Sequence, residues 1–166
     1  MSLSGIVLDN GIDFDSRDIS YKVNDVLNEN KINIQYNPER QTCRTWYGRE
    51  LKIEYVAKGK LSGGKLHSKK LTIDILKYRQ KIRKTPERIA ATLLHEKIHH
   101  DIGIIETPAS VYGLIKLSQT IENPLNAILV TGLAALIYIL IREFIVDGIS
   151  YARYGLYDSN SEDKKN

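Results

Sequence analysis

The residues best suited to chemistry are two histidines and a glutamate in the middle of the chain, in the pattern H-E-x-x-H. His95 and His99 are four residues apart, so on a helix both imidazoles face one side and can share one Zn²⁺. Glu96 lies between them and projects beside the metal, where its carboxylate can take a proton from water. A polar helix face that holds no metal is the alternative interpretation.

A catalytic zinc site needs a third protein ligand and leaves its fourth position to water. No histidine follows His100, so a third histidine on that side of the motif is excluded. Glu106 and Glu122 are acidic candidates, but each lies in a predicted loop or turn. Glu143 is the better candidate, because it follows a long apolar run and a buried carboxylate there needs a partner.

Further candidate residues follow Glu143 at helical spacing. Asp147 lies four residues later, so it faces the same side and can accept a hydrogen bond from a ligand histidine. An exposed acidic pair is the alternative for these two carboxylates. Tyr151 and Tyr154 come one to two turns further on and are candidates for stabilising the oxyanion of a scissile carbonyl. Aromatic packing at helical spacing is the alternative for these two tyrosines, and the sequence favours it.

H-E-x-x-H on one helix and E-x-x-x-D on a later one resembles the gluzincin metallopeptidases. Over about residues 69–155 the chain is similar to the HtpX-like and CAAX-prenyl-protease catalytic domains, and to the small soluble minigluzincins. The resemblance implies a zinc peptidase, active or latent, that acts on a peptide or protein substrate. It assigns zinc ligation to His95, His99 and Glu143, general base and acid catalysis to Glu96, and support of a ligand to Asp147.

The resemblance also implies where a substrate binds. The strand from Leu71 to Leu76 would form the upper rim of the cleft and hold a peptide in extended form by backbone hydrogen bonds. The candidate substrate-binding positions are therefore Leu71, Ile73 and Ile75. One departure from the family is that 43 residues separate the second histidine from Glu143, too few for the two membrane spans of its integral-membrane members.

Periodicity predicts an α+β fold around these residues. Apolar positions at helical spacing predict an N-terminal helix over 15–29, and alternating apolar positions predict strands over 32–36, 51–57 and 71–75. A Gly-Gly turn signal separates the last two strands. We therefore expect them to form an antiparallel hairpin within a small, mostly antiparallel sheet.

Two helices are predicted after the sheet. A threonine N-cap followed by proline predicts that the H-E-x-x-H helix starts at Thr85, and Gly103 and Pro108 are expected to end it. A short amphipathic segment is expected over 111–117. The glutamate-bearing helix is predicted over 123–154.

Composition limits the classes of protein. The chain has 166 residues, 42% of them hydrophobic and 27% charged, which excludes a disordered chain and a polytopic membrane protein. A single cysteine, Cys43, excludes a disulfide framework. No secretory signal is visible, so we expect a cytoplasmic protein. We expect one zincin-like domain over 1–156 and a polar, disordered tail over 157–166.

An apolar run over 125–141 reaches the lower limit for a membrane span. As the single crossing between His99 and Glu143 it would place them on opposite bilayer faces, about 30 Å apart, where they cannot share a metal. Residues 111–121 contain Lys116 and are too short for a compensating second span, so we expect a buried or interface-lying helix. Contact with a membrane, in a re-entrant or surface-seated arrangement, and dimerisation through this helix are the alternatives.

Basic residues are concentrated between Lys58 and Arg88, where eleven basic and two acidic residues occur. Such a stretch suits nucleic acid, an anionic membrane surface or an acidic partner, although a solvated face also explains it. The alternative function is therefore a nucleic-acid-associated protein, either a DNA-bound protease or a binding module. A metal-free scaffold or oligomerisation domain built on the apolar helix is the third interpretation.

Overall fold

The computed structural model describes residues 14–64, 68–80 and 82–154. The elements, in chain order, are α1 (Ser16–Glu29), β1 (Thr42–Arg44), β2 (Glu50–Val56), β3 (Lys70–Asp74), α2 (Pro86–Gln119) and α3 (Pro124–Tyr154). A small mixed sheet between an N-terminal helix and two long C-terminal helices confirms the predicted α+β class. The predicted tail over 157–166 lies outside the described residues.

A side chain caps the N-terminus of each of the two helices, α1 and α2, that contribute to the core. The Asp15 carboxylate accepts a hydrogen bond from the backbone N–H of Arg17 at 2.8 Å, at the start of α1. Thr85 caps α2 in the same way, by accepting from the backbone N–H of Arg88. Each cap satisfies a backbone donor that has no partner within its own helix. Both predicted helix starts are confirmed.

The sheet has the order β1-β2-β3, with β1 antiparallel and β2–β3 parallel. The predicted antiparallel hairpin of β2 with β3 is therefore wrong, and the antiparallel pair lies between β1 and β2. After β2 the chain crosses to the far edge of β3, where Gly63 pairs antiparallel with Thr72. The buried Asp74 carboxylate fixes the start of this crossing, because it accepts from the backbone N–H of Lys60 at 2.7 Å.

The segment 32–36 is not a strand, contrary to the prediction. Ile32 and Ile34 are buried as their alternation suggested, but Gln35 has a left-handed backbone with φ of 50° that interrupts the extended chain. The hydroxyl of Tyr36 lies 2.8 Å from that of Tyr55, so the segment is held to β2 by side chains. Burial alternates here without a ladder of backbone hydrogen bonds.

The core lies between α1, the N-terminal half of α2 and one face of the sheet, and we call these elements together the body. Every second residue of β2 is buried, as alternation in a half-buried strand requires. The fully buried side chains include Val23, Leu27, Leu51, Ile53, Ile73, Leu93 and Leu94. The first two turns of α2 are thus held rigidly on the core, and the H-E-x-x-H motif follows them directly.

The predicted end of α2 is wrong, because the helix continues through Gly103 and Pro108 to Gln119. A proline inside a helix removes one backbone hydrogen bond and costs about 3 kcal/mol. Contacts with α3 compensate at this point, since the Arg142 guanidinium binds the Glu106 carboxylate at 3.1 Å. The predicted segment over 111–117 is therefore part of α2.

Residues 102–119 of α2 and 124–141 of α3 form an antiparallel pair, which we call the helical hairpin. Its two helices are joined by the short connection at residues 120–123. By length and composition α3 could cross a membrane over Pro124–Ser150, and none of its most apolar stretch is buried. The expected burial of the apolar helix is therefore not found.

Candidate metal centre

The middle of α2 presents two histidines toward α3. His95 and His99 lie on one face of the helix, next to the core residues Leu93 and Leu94, and both imidazoles are largely buried. Their rings meet edge to face with centroids 4.6 Å apart. The spacing of four residues thus brings the two side chains together, as helical geometry requires.

The C-terminal part of α3 brings two carboxylates to this face. Val146 is fully buried and anchors this part of α3 on the body. Arg142 ties the two helices together, because it binds Glu106 and also donates to the backbone carbonyl of His99 at 3.4 Å. The next residue in the chain, Glu143, is thereby directed at the histidines, and Asp147 lies one turn further along.

Three donor atoms converge at a single point. His95 Nε2 and His99 Nε2 are 3.0 Å apart, and Glu143 Oε2 lies 3.5 Å from the first and 3.3 Å from the second. Ligand atoms that bind one tetrahedral ion at about 2.1 Å lie about 3.4 Å from each other. The three residues therefore fit a metal ion and could hold one. Within the described part of the chain, they are the one such group.

Asp147 determines which nitrogen of His95 is free to bind a metal. The Nδ1–H of His95 donates to Asp147 Oδ1 at 3.0 Å. In the neutral imidazole the proton is then on Nδ1, and Nε2 presents its lone pair toward His99 and Glu143. The hydrogen bond is the contact that the sequence predicted for Asp147, and its support of a bound metal stays a prediction.

The electrostatics of His99 also favour a metal ligand. Burial lowers the pKa of His99 below its ordinary value, and the neighbouring Glu143 carboxylate offsets part of this effect. His95 and Arg142 act in the same direction as burial. A lowered pKa keeps the imidazole neutral at physiological pH, and the neutral form is the one that binds metal ions.

The carboxylate of Glu96 reaches the segment that covers the edge of β3. A Cβ atom added to Gly63 would lie 3.7 Å from Glu96 Oε2, which places the carboxylate beside the segment that covers this edge. The backbone of Gly63 exchanges two hydrogen bonds of 2.9 Å with Thr72. The position of a general base and the predicted substrate strand are thus within reach of one another.

On β3, which the sequence predicted as the rim of the cleft, the side chains are buried and only backbone groups lie at the sheet edge. The side chains of Leu71, Ile73 and Ile75 are fully buried in the core, so they cannot contact a substrate. Backbone groups at the β3 edge remain the possible contact, and at Thr72 they are already bonded to Gly63. A peptide that pairs with β3 at this point must displace residues 62–63, which we call the Gly63 segment.

The two other acidic candidates, Glu106 and Glu122, are placed apart from the three donor atoms. Glu106 binds Arg142, and Glu122 lies in the connection at the far end of the helical hairpin. His100 is buried beside Gly64. Tyr151 and Tyr154 belong to the last turn of α3, but their side chains lie outside the described part of the structure, so their predicted role stays a prediction.

Sequence reasoning missed two features of the site. Arg142 is not among the residues that the sequence predicted for the site, yet it fixes α3 against α2. An acid and a base within otherwise apolar segments, Glu106 and Arg142, were the available signal for this pair. The covering of β3 by Gly63 had no such signal, because it depends on the crossing connection.

Some basic residues between Lys58 and Arg88 form ion pairs or hydrogen bonds within the protein. Lys70 forms an ion pair with Glu54 at 2.6 Å, and the Lys84 ammonium donates to the hydroxyl of Thr92 at 3.0 Å. Lys58 and Lys60 are exposed.

No family model, curated protein or solved structure matches the chain. The function must therefore be argued from the site itself.

Proposed function

We propose that this protein is a zinc-dependent peptidase whose metal is held by His95, His99 and Glu143. One observation carries the proposal: three donor atoms from two helices converge at the spacing of a tetrahedral ion, and Glu96 follows the first ligand residue directly in the chain. Two imidazoles and one carboxylate, with a fourth position left open, form the ligand set of many catalytic zinc sites. The Glu143 side chain is 49% exposed, so the expectation of a buried carboxylate is wrong, and this ligand lies at the solvent side of the centre.

The residues of this chain divide the work of peptide hydrolysis. Zinc in such a site supplies a Lewis acid that polarises the scissile carbonyl and makes water more acidic. Glu96 takes a proton from the attacking water onto its carboxylate and later delivers it to the nitrogen of the leaving amine. Asp147 holds the proton on Nδ1 of His95 throughout, so that Nε2 keeps its lone pair toward the metal position.

The same geometry supports a latent form of the enzyme. A substrate in extended conformation would pair with the edge of β3, beside Glu96. Gly63 already uses the backbone N–H and C=O of Thr72 on that edge. Removal of the Gly63 segment is then a condition for a peptide to reach the full length of the edge.

Metal content and hydrolysis together test the proposal. The full chain, purified without chelators or an affinity metal, is analysed for zinc and iron, because iron(II) also binds two histidines and a carboxylate. We expect about one zinc per chain. Hydrolysis of a fluorogenic peptide library should require this metal and be lost with a chelator.

Two variants separate binding from chemistry. Glu96→Gln should keep the zinc and lose about 10²–10⁴-fold in hydrolysis, because only the general base is removed. His99→Ala should lose both. Glu29→Gln, at the exposed end of α1, is the matched control and should change neither. A chain that takes up no zinc after zinc is added, or a Glu96→Gln variant as active as the parent, would refute the proposal.

The nucleic-acid alternative stays a prediction. Its test is retention of the full chain on DNA at increasing salt, where a specific basic surface gives a steep loss of affinity. Weak retention that disappears at modest salt would instead indicate a solvated face.

A further inference from the structure

The helical hairpin exposes many large apolar side chains. On α2 these are Ile104, Ile105, Val111, Tyr112 and Ile115, and on α3 they are Leu125, Ile128, Leu129, Val130, Leu133, Leu136, Ile137, Ile139, Leu140 and Ile141. A soluble monomer rarely exposes a continuous apolar surface of more than a few hundred Å². Something other than water must therefore cover this surface.

The distribution of these side chains around α3 identifies the kind of covering. At about 100° per residue, the exposed apolar positions from Leu125 to Ile145 cover roughly 260° of the helix circumference. A helix that packs against one neighbouring subunit needs an apolar stripe of about 100°. A second copy of the chain would leave most of this surface in water, whereas lipid surrounds a helix on all its free sides.

The length of the hairpin and its charges also fit a bilayer. Each arm has 18 residues and is about 27 Å long, close to the hydrocarbon thickness of about 30 Å. Between Pro124 and Ile141 the chain has no charged residue. Glu106 is neutralised by Arg142 at the body end of the hairpin, and Lys116 lies within one turn of the far end, where its ammonium can reach the headgroups.

An aromatic side chain marks the level at which the hairpin leaves the body. The indole N–H of Trp46 donates to the backbone carbonyl of Asp101 at 2.6 Å, and its backbone N–H donates to the carboxylate of the same residue. The Trp46 side chain is nevertheless 64% exposed. Tryptophan is enriched at the boundary between hydrocarbon and water, because its ring is apolar and its N–H is polar.

We infer that the helical hairpin inserts into a lipid bilayer from one side, with Trp46 at the interface and the connection at 120–123 toward the opposite headgroups. The chain enters along α2 and returns along α3. His99 and Glu143 therefore stay on the same side of the membrane, and the argument that a single crossing would separate them does not apply. The expectation that the 43 residues between them are too few for two spans does not hold for this hairpin, because α2 continues through Pro108 to Gln119 and supplies a second arm of 18 residues. This inference does not depend on a bound metal.

Flotation of the full chain with phosphatidylcholine vesicles tests the inference. Uncharged vesicles exclude simple attraction of the basic stretch. We expect the protein to float with the vesicles and to remain bound at high salt. Trp46 is the single tryptophan, so its fluorescence reports its depth. Lipids brominated near the headgroup end of the chains should quench it more than lipids brominated at the chain ends.

Charged substitutions on the hairpin provide the matched comparison. Leu129 and Leu136 are each 62% exposed, and the double variant Leu129→Glu/Leu136→Glu should lower the vesicle-bound fraction at least about tenfold. Leu61→Glu, at a residue outside the hairpin that is 71% exposed, should leave binding unchanged. Protection of the buried Cys43 thiol from alkylation shows that each variant is folded.

The outcomes separate the two possible coverings. A full chain that stays at the bottom of the gradient and elutes as a dimer overturns the inference and makes the hairpin a subunit interface. If the double variant exposes Cys43, it is unfolded. Stronger quenching of Trp46 in the unaltered chain by lipids brominated near the headgroups then supports the inference. Absence of that quenching, or equal loss of binding in Leu61→Glu, also overturns it.

Discussion

At the scale of single residues, both nitrogens of the His95 imidazole have partners, and this fixes how the ring can be used. Nδ1 donates to Asp147, and Nε2 points at His99 and Glu143. The sequence suggested this arrangement, because residues four apart share a helix face in any α-helix. What the sequence did not contain was the relative position of α2 and α3.

Substitution of Asp147 tests the value of the hydrogen bond to His95. In Asp147→Asn the charged acceptor is lost, and the ligand imidazole becomes less basic and less well oriented. We expect the zinc affinity to fall about 10–100-fold, measured by competition with a chromophoric chelator. Asp18→Asn, at an exposed carboxylate on α1, is the control and should keep the parental affinity. An unchanged affinity in Asp147→Asn would show that the contact does not support the metal site.

At the scale of the elements, local signals predicted more than long-range ones. The helix starts at Asp15 and Thr85 were predictable, because an N-cap acts within three residues of itself. The end of α2 was not, since contacts with α3 override the helix-ending tendency of Pro108. Strand positions were found from alternation, but the parallel pairing of β2 and β3 depends on where the connection crosses, which alternation does not report.

That crossing connection leads to a prediction about Gly64, next to the segment that covers β3. A Cβ atom here would lie 2.8 Å from the carbonyl oxygen of Lys70 and 2.9 Å from Leu71 Cδ2, so the segment must move away. Weakening its pairing by about 1 kcal/mol, roughly one hydrogen bond, makes the uncovered edge about fivefold more populated. Gly64→Ala should therefore increase the rate of peptide hydrolysis about fivefold.

The matched control for this substitution is Gly113→Ala. Gly113 has no atom within 4 Å of an added Cβ, so the same change of residue causes no displacement there. Its hydrolysis rate should equal that of the parent. A Gly64→Ala variant with unchanged or lower activity and an intact thermal unfolding transition would show that the Gly63 segment does not restrict access to β3.

At the scale of the whole molecule, the metal centre joins the body to the helical hairpin. Two of its residues lie on α2 where that helix is fixed to the core, and the third lies on α3, whose preceding stretch has no buried residue. Without a metal, Arg142 and Val146 hold α3 in place near the centre. A bound ion adds a link between the helices, so the stability of this contact should depend on metal concentration.

This dependence gives a prediction for unfolding of the full chain in detergent. A ligand present at about 100 times its dissociation constant stabilises the folded state by about 2.7 kcal/mol, provided that it binds only the folded state. Zinc should therefore raise the unfolding midpoint, which is measured by the fluorescence of Trp46, and a chelator should reverse the effect.

In Glu143→Gln most of the increase in the unfolding midpoint should disappear, because a neutral amide replaces the charged ligand from α3. Glu122→Gln, at the far end of the hairpin, should respond to zinc as the parent does, since an acid there cannot reach the three donor atoms. An equal zinc response in both variants would mean that zinc binds elsewhere, and that the joining of α2 to α3 through Glu143 does not occur.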